Sequence, residues 1–180
     1  MPKTHRLLVW GEAAYFPHPD DFAETYPILT PYAAKNILEC LYWLPAISWQ
    51  IEEIHVLKPI QYCKGYCNGK YLNLLSDVAY LIRASLELTP KAGPNDKWHV
   101  HNCRFTRRAA AGKYFKQPYF GYKEFACHFR LQTDSEPNYA PIDVTKDLGM
   151  ILYDVAYSNK SGAKKPILVD AYLKNGVLRL

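Results

Sequence analysis

The sequence predicts an α+β chain. A ferredoxin-like βαββαβ domain is expected over residues 1–131 and a small C-terminal antiparallel β-sheet appendage over 132–180. Three observations predict it. Apolar residues recur at helical spacing after Thr30-Pro31, cap and stop signals bound a second helix up to Gly112, and apolar residues alternate in the segments around them. The resulting order is strand, helix, strand, strand, helix, strand, which is the split βαβ pattern. After Leu131 a polar loop is followed by strand-like runs and no further helix, and the hairpin signal Asn175-Gly176 precedes the last of them.

Each element has a local reason. Leu7-Leu8-Val9-Trp10 reads as a short strand that Gly11 loosens. Phe16 to Asp21 is loop, because prolines and aspartates punctuate it. Thr30-Pro31 opens the first helix: Thr caps, and Pro fits the first helical position. Ala34, Ile37, Leu38 and Leu41 share one face, and the helix is expected to stop near Leu44-Pro45. Ile47, Trp49 and Ile51 alternate, and Ile54, Val56 and Leu57 follow out of phase. That is a strand pair or one strand with a bulge. Val78, Tyr80, Ile82, Ala84, Leu86 and Leu88 alternate without a break and form the clearest strand. Lys91 to Asp96 is a turn, with Asn95 expected to cap a second helix that ends at Gly112. Phe125, Cys127, Phe129 and Leu131 alternate as the next strand. A polar loop, Gln132 to Thr145, precedes strands at Met150–Tyr157, Ile167–Leu173 and Val177–Leu180.

Composition narrows the function. The chain has 180 residues, 49% hydrophobic and 22% charged, which is ordinary for a globular domain and excludes disorder or a fibre. No apolar run approaches the ~20 residues needed to span a bilayer. The start, Met1 to Arg6, leads into a run of only four apolar residues before Gly11, too few for a signal-peptide core, so a cytoplasmic protein with no membrane partner is expected. Five cysteines, an odd number, read as free thiols.

The net charge of +5 is unevenly placed. Residues 1–90 carry 7 basic and 9 acidic side chains, and residues 131–180 carry 6 of each. Residues 91–130 carry 9 basic and 2 acidic, a net +7 in one 40-residue stretch. Aromatic side chains are interleaved there, among them Trp98, Phe105, Tyr114, Phe115 and Tyr122. Cations mixed with stacking rings suit a phosphate backbone with unpaired bases. The candidate RNA-binding residues are Arg104, Arg107, Arg108, Lys113, Lys116 and Lys123. A solvated helix face followed by a half-buried strand explains the same charges equally well.

Candidate chemistry rests on few residues. There is no P-loop, Rossmann fingerprint, Gly-x-Ser-x-Gly elbow or His-Glu-x-x-His. His99, His101 and Cys103 with Cys63 and Cys67 match no familiar zinc spacing, so neither a metal nor a cofactor is assigned. Tyr42 is either a ring sealing the first helix against the sheet or a phenol able to position or deprotonate a ribose hydroxyl. His101 is a candidate acid or base, and Lys97 can neutralise charge on a pentacoordinate phosphate. Such a Tyr/His/Lys set can cleave RNA through its own 2′-OH.

Several strings then occur together and in order. They are Val9-Trp10-Gly11, Thr30 to Ile47 (with Tyr42-Trp43-Leu44-Pro45 inside it), Ile54 to Ile60, and Asp77-Val78-Ala79-Tyr80. Phe105-Thr106-Arg107-Arg108, Gln117 to Phe125 and Asp147 to Asp154 complete the set. The chain resembles the CRISPR-associated Cas-five family in its Dvulg, or type I-C, subtype. The resemblance implies an RRM-like domain with a small C-terminal sheet that binds the 5′ handle of CRISPR RNA. It implies membership of the Cascade interference complex, beside its backbone and large subunits, and contact with target DNA through that complex. In this subtype it also implies the nuclease that cuts precursor CRISPR RNA in the repeat without a metal, with Tyr42 and His101 at the catalytic tyrosine and histidine. The lysine that precedes that histidine in the family is Val100 here, and Lys97 is the candidate substitute. Between Ile60 and Asp77 only 16 residues remain where the family carries a longer basic insertion, so a trimmed RNA-gripping hairpin is expected. Two functions follow: a cleaving subunit, or one that only caps the 5′ handle while another nuclease cuts.

Overall fold

The computed structural model describes residues 2–180. Eight strands and two helices follow in the order β1(Thr4–Ala14), α1(Pro31–Leu41), β2(Ile47–Val56), β3(Tyr62–Cys67), β4(Lys70–Leu88), α2(Trp98–Ala110), β5(His128–Gln132), β6(Lys146–Tyr157), β7(Lys164–Lys174) and β8(Val177–Arg179). β4 pairs antiparallel with both β1 and β2, so β1 and β2 run parallel with β4 between them. β5 lies outside β1, which gives the order β5-β1-β4-β2. This is the ferredoxin-like arrangement, with added strands. β8 pairs with the far edge of β2 and carries β7 and β6 beyond it. Among the described residues, no helix is long and apolar enough to cross a membrane.

Both helices cover one face of the sheet. Leu7 and Val9 of β1, Trp49 and Ile54 of β2, and Ile82, Ala84 and Leu86 of β4 meet Ile37, Leu38 and Leu41 of α1 and Phe105 and Ala109 of α2. Ile151, Ala171, Leu173 and Leu178 of the C-terminal strands belong to the same core. Each fully buried Leu, Ile, Val or Phe among them contributes about 1.5–3 kcal/mol of transfer free energy. Thr30 caps α1 by accepting from the Ala33 N–H at 3.2 Å, and Pro31 takes the first helical position, as the sequence predicts.

The structure corrects several boundaries. β1 runs through Gly11 instead of ending there. A Cβ at Gly11 would sit 2.6 Å from the Ala126 carbonyl oxygen, so glycine there allows a close approach, not a strand end. Residues 47–56 form one strand with a register shift between Ile51 and Glu53. α2 is capped by Lys97 and not by Asn95, and Lys97 makes no side-chain capping bond. The strand expected from Phe125 begins only at His128, because the Phe120 N–H donates to the Phe125 carbonyl and ties that segment into a loop. Residues 62–75 form a β3–β4 hairpin, in the segment where the resemblance implies a trimmed hairpin and the residue pattern alone marks no strand. Its turn, Asn68-Gly69, has positive φ at both residues, the geometry that Asn-Gly favours.

Candidate active site

α1 ends three residues earlier than the sequence predicts, at Leu41, and that early end builds the site. Tyr42 leaves the helix in an extended conformation (φ −156°, ψ 118°) while its N–H still donates to the Leu38 carbonyl at 2.9 Å. Its carbonyl accepts from the buried Trp49 indole Nε1–H at 2.9 Å. The backbone is therefore held on both sides, and the phenol turns away from α1 toward α2.

α2 brings the second group. Its buried face carries His101, Asn102, Phe105 and Ala109. Asn102 ties that face down, donating to the Trp98 carbonyl at 2.9 Å and meeting the ring of His5 on β1. His101 lies one residue before Asn102, in the first turn. Its Nδ1 is 2.8 Å from the Tyr42 hydroxyl and its Nε2 is 3.1 Å from Asp96 Oδ1. Tyr42 is 3% exposed and His101 1%. Both ring nitrogens are occupied, so His101 faces Tyr42 and Asp96 and not solvent. Asp96 belongs to the turn before α2, where its Oδ2 accepts the Gly93 N–H at 2.8 Å. That backbone bond, followed by His101 and Arg104, holds the Asp96 carboxyl below the ordinary carboxylate range.

Tyr42 lines a groove of about 480 Å³. Its other walls are Leu44, Arg104, Arg107, Arg108, Ala111, Lys113 and Phe115. Arg108 is anchored: its Nε donates to the Leu41 carbonyl at 3.1 Å, and its guanidinium lies 4.0 Å above the Phe115 ring. Phe115 in turn stacks on Tyr42, centroids 6.5 Å apart. Arg104 and Arg107 are exposed, as is Lys113. A buried phenol hydrogen-bonded to an imidazole, at the edge of a cationic groove, can exchange a proton with a hydroxyl held there while the cations carry a phosphate.

Four of the six predicted RNA-binding residues, Arg104, Arg107, Arg108 and Lys113, meet at this groove. Lys116 lines the neighbouring cleft with Tyr32, Glu39 and Trp43, and Lys123 lies exposed in the loop before β5. Lys97 is exposed at the start of α2 and does not line the groove. Val100 lines an adjacent depression with His99, Cys103, Arg104 and Arg107, so two arginines border both the groove and the position where the family's lysine is expected. The Cys63–Cys67 and His99–Cys103 segments sit on β3 and α2, and among the described residues no three potential metal ligands converge. Sequence reasoning missed the role of Asp96 and named Phe115 only among the aromatics interleaved with the basic stretch. Asp96 lies five residues before His101, and a carboxylate just ahead of a helical histidine was the available signal.

The family model described as CRISPR-associated protein (Cas_Cas5) matches residues 5–164. A curated relative from Mannheimia succiniciproducens, named CRISPR pre-crRNA endoribonuclease Cas5d, is 33% identical over 216 aligned positions, covering 99% of this chain and 95% of the relative. One of the same name from Thermus thermophilus is 29% identical, covering 87% and 75%. Among solved structures, a CRISPR-associated protein superposes with a TM-score of 0.86 at 22% identity, over 99% of this chain and 92% of its own. A functionally uncharacterized protein of Streptococcus mutans gives 0.84 at 21% identity over the same shares. These two likenesses concern the fold. With the family model spanning most of its length and a relative matching nearly all of it, the chain belongs to the Cas5 family of CRISPR-associated proteins, in the Cas5d (type I-C, Dvulg) branch.

Proposed function

We propose that this chain cleaves precursor CRISPR RNA within the repeat and keeps the 5′ handle as a subunit of a type I-C Cascade complex. The observation that carries this reading is the 2.8 Å contact between the Tyr42 hydroxyl and His101 Nδ1 at the edge of the Arg104/Arg107/Arg108/Lys113 groove. The names of the two relatives support the same substrate. Tyr42 takes the proton of the ribose 2′-OH, and His101, which is too buried to touch RNA, works through Tyr42. The freed 2′-oxygen attacks the adjacent phosphorus and the P–O5′ bond breaks. Charge on the phosphorane is offset mainly by Arg104 and Arg107, with a smaller share from Lys97 at the head of α2. The nucleophile is already tethered beside the phosphorus, so the reaction needs no metal to generate one. Lys116 and Lys123 extend the phosphate track beyond the groove. In the assembled complex the chain sits beside the backbone and large subunits and meets target DNA only through them.

Val100 in place of the family's lysine favours a second reading, in which the chain caps the 5′ handle and another nuclease cuts. Labelled cognate repeat RNA, incubated with the purified chain in EDTA, separates the two. Cleavage to a 2′,3′-cyclic phosphate and a 5′-hydroxyl, abolished by a single 2′-deoxy at the cut, supports the enzyme. Tight binding with no cleavage of either RNA supports the cap.

A further inference from the structure

We propose that Asp96 is a positioning residue that sets the direction of the proton relay, by fixing the His101 tautomer so that the Tyr42 hydroxyl donates into Nδ1. This rests on the assignment of Tyr42 as the group that acts on the 2′-OH. The Gly93 N–H can only donate, and it is 2.8 Å from Asp96 Oδ2. That bond commits one carboxylate oxygen and turns the other, Oδ1, to His101 Nε2 at 3.1 Å. A carboxylate oxygen can only accept, so Nε2 carries the hydrogen of the neutral imidazole. Nδ1 is then the bare nitrogen, and at 2.8 Å it accepts the Tyr42 O–H. The polarity of the whole chain follows from one backbone amide: Tyr42 O–H to Nδ1, Nε2–H to Oδ1, Gly93 N–H to Oδ2.

The relay balances. As the 2′-OH proton moves to the Tyr42 oxygen, the phenol's own proton moves to Nδ1. The 2′-oxygen forms its bond to phosphorus, and the P–O5′ pair leaves with the 5′-oxygen, which takes a proton from water. His101 is then an imidazolium at a site 1% exposed, and the adjacent Asp96 carboxylate is its counter-charge. The proton later passes to solvent and the starting state returns.

Asp96→Asn is nearly isosteric and tests this directly. With the amide oxygen kept on the Gly93 N–H, the –NH2 group faces Nε2. Nε2 must then accept, the hydrogen moves to Nδ1, and the Tyr42 O–H loses its acceptor. In the full chain with ¹⁵N-labelled histidine, His101 is expected as the Nε2–H form in the wild type and the Nδ1–H form in Asp96→Asn. Single-turnover cleavage of cognate repeat RNA should fall about 10²-fold or more, with affinity within twofold. A merely structural role would slow cleavage and leave the tautomer unchanged, and that result overturns the proposal. Wild-type cleavage in Asp96→Asn overturns it as well. Tyr42→Phe in the same assay keeps the two ideas apart: if it cleaves like the wild type, the Tyr42 assignment itself is wrong, whatever Asp96 does. His101→Gln identifies the His101 resonances.

Discussion

On the face of the sheet away from the helices, Arg6, Arg83 and Arg179 lie in one row with Gln132 and Glu53, across β5, β1, β4, β2 and β8. Each arginine meets a carboxylate. Arg83 and Arg179 both reach Glu53 at 3.1 Å, and Arg6 reaches Asp134 at 3.2 Å. Arg130, on the same face, pairs with Glu136 at 2.7 Å. On the helical face, Arg104, Arg107 and Lys113 make no ion pair among the described residues. One face uses arginine to tie strands together, and the other leaves its cations open beside a phenol. Counting charges along the chain cannot make that distinction. Arg130 belongs by sequence to the +7 stretch, but it lies on the paired face and is not part of the groove.

The sharpest way to break this contrast is to remove two cations from each face in turn. Arg104→Ala with Arg107→Ala, and Arg83→Ala with Arg179→Ala, each lower the net charge from +5 to +3. The groove pair should weaken binding of repeat RNA at least tenfold and reduce the log–log salt slope by about 1.4, about 0.7 per single-strand phosphate contact. The sheet pair should leave the slope unchanged and lower the melting temperature. Filter binding across a salt series and thermal unfolding read both. Equal slopes for the two variants would mean that net charge alone, not its placement, governs the affinity.

A smaller effect sharpens the paired face. Burial works against the Glu53 charge, but His55, Arg83 and Arg179 together overcome it and hold the carboxyl below its ordinary value of 4.5. A depressed carboxyl contributes stability that is present above the unfolded-state pKa and lost as pH falls through the folded one. Glu53→Gln should therefore flatten the loss of stability below pH ~4.5 and leave RNA cleavage unchanged. Denaturant midpoints at a series of pH values check this, and a variant as acid-labile as the wild type would remove Glu53 from the account.

How much of this could be read from the residues varies by element. The first helix was legible because Thr30-Pro31 and the 34/37/38/41 spacing carry their own local physics, whereas α2 starts at Trp98 after Lys97 with no side-chain cap to mark it. Tyr42 and His101 were legible as residue types in matching strings. Their meeting depends on α1 stopping at Leu41, which Trp49 helps to fix from another strand. β6 begins at Lys146, four residues before the alternation is visible, because register shifts at 147/149 and 152/154 break the period. The three-residue β8 carries too short a pattern to announce its pairing with β2. The β3–β4 hairpin was legible through the resemblance and in the turn Asn68-Gly69, but not as strands, because no clean alternation precedes that turn.

Whether the open cations hold RNA while the Tyr42 phenol moves its proton is tested most directly at Tyr42 itself. Tyr42→Phe removes one oxygen and leaves the ring stacked on Phe115. Single-turnover cleavage of cognate repeat RNA should fall about 10²-fold or more, while the dissociation constant stays within twofold. Undiminished cleavage, or a loss of affinity that keeps pace with the loss of rate, would contradict the account.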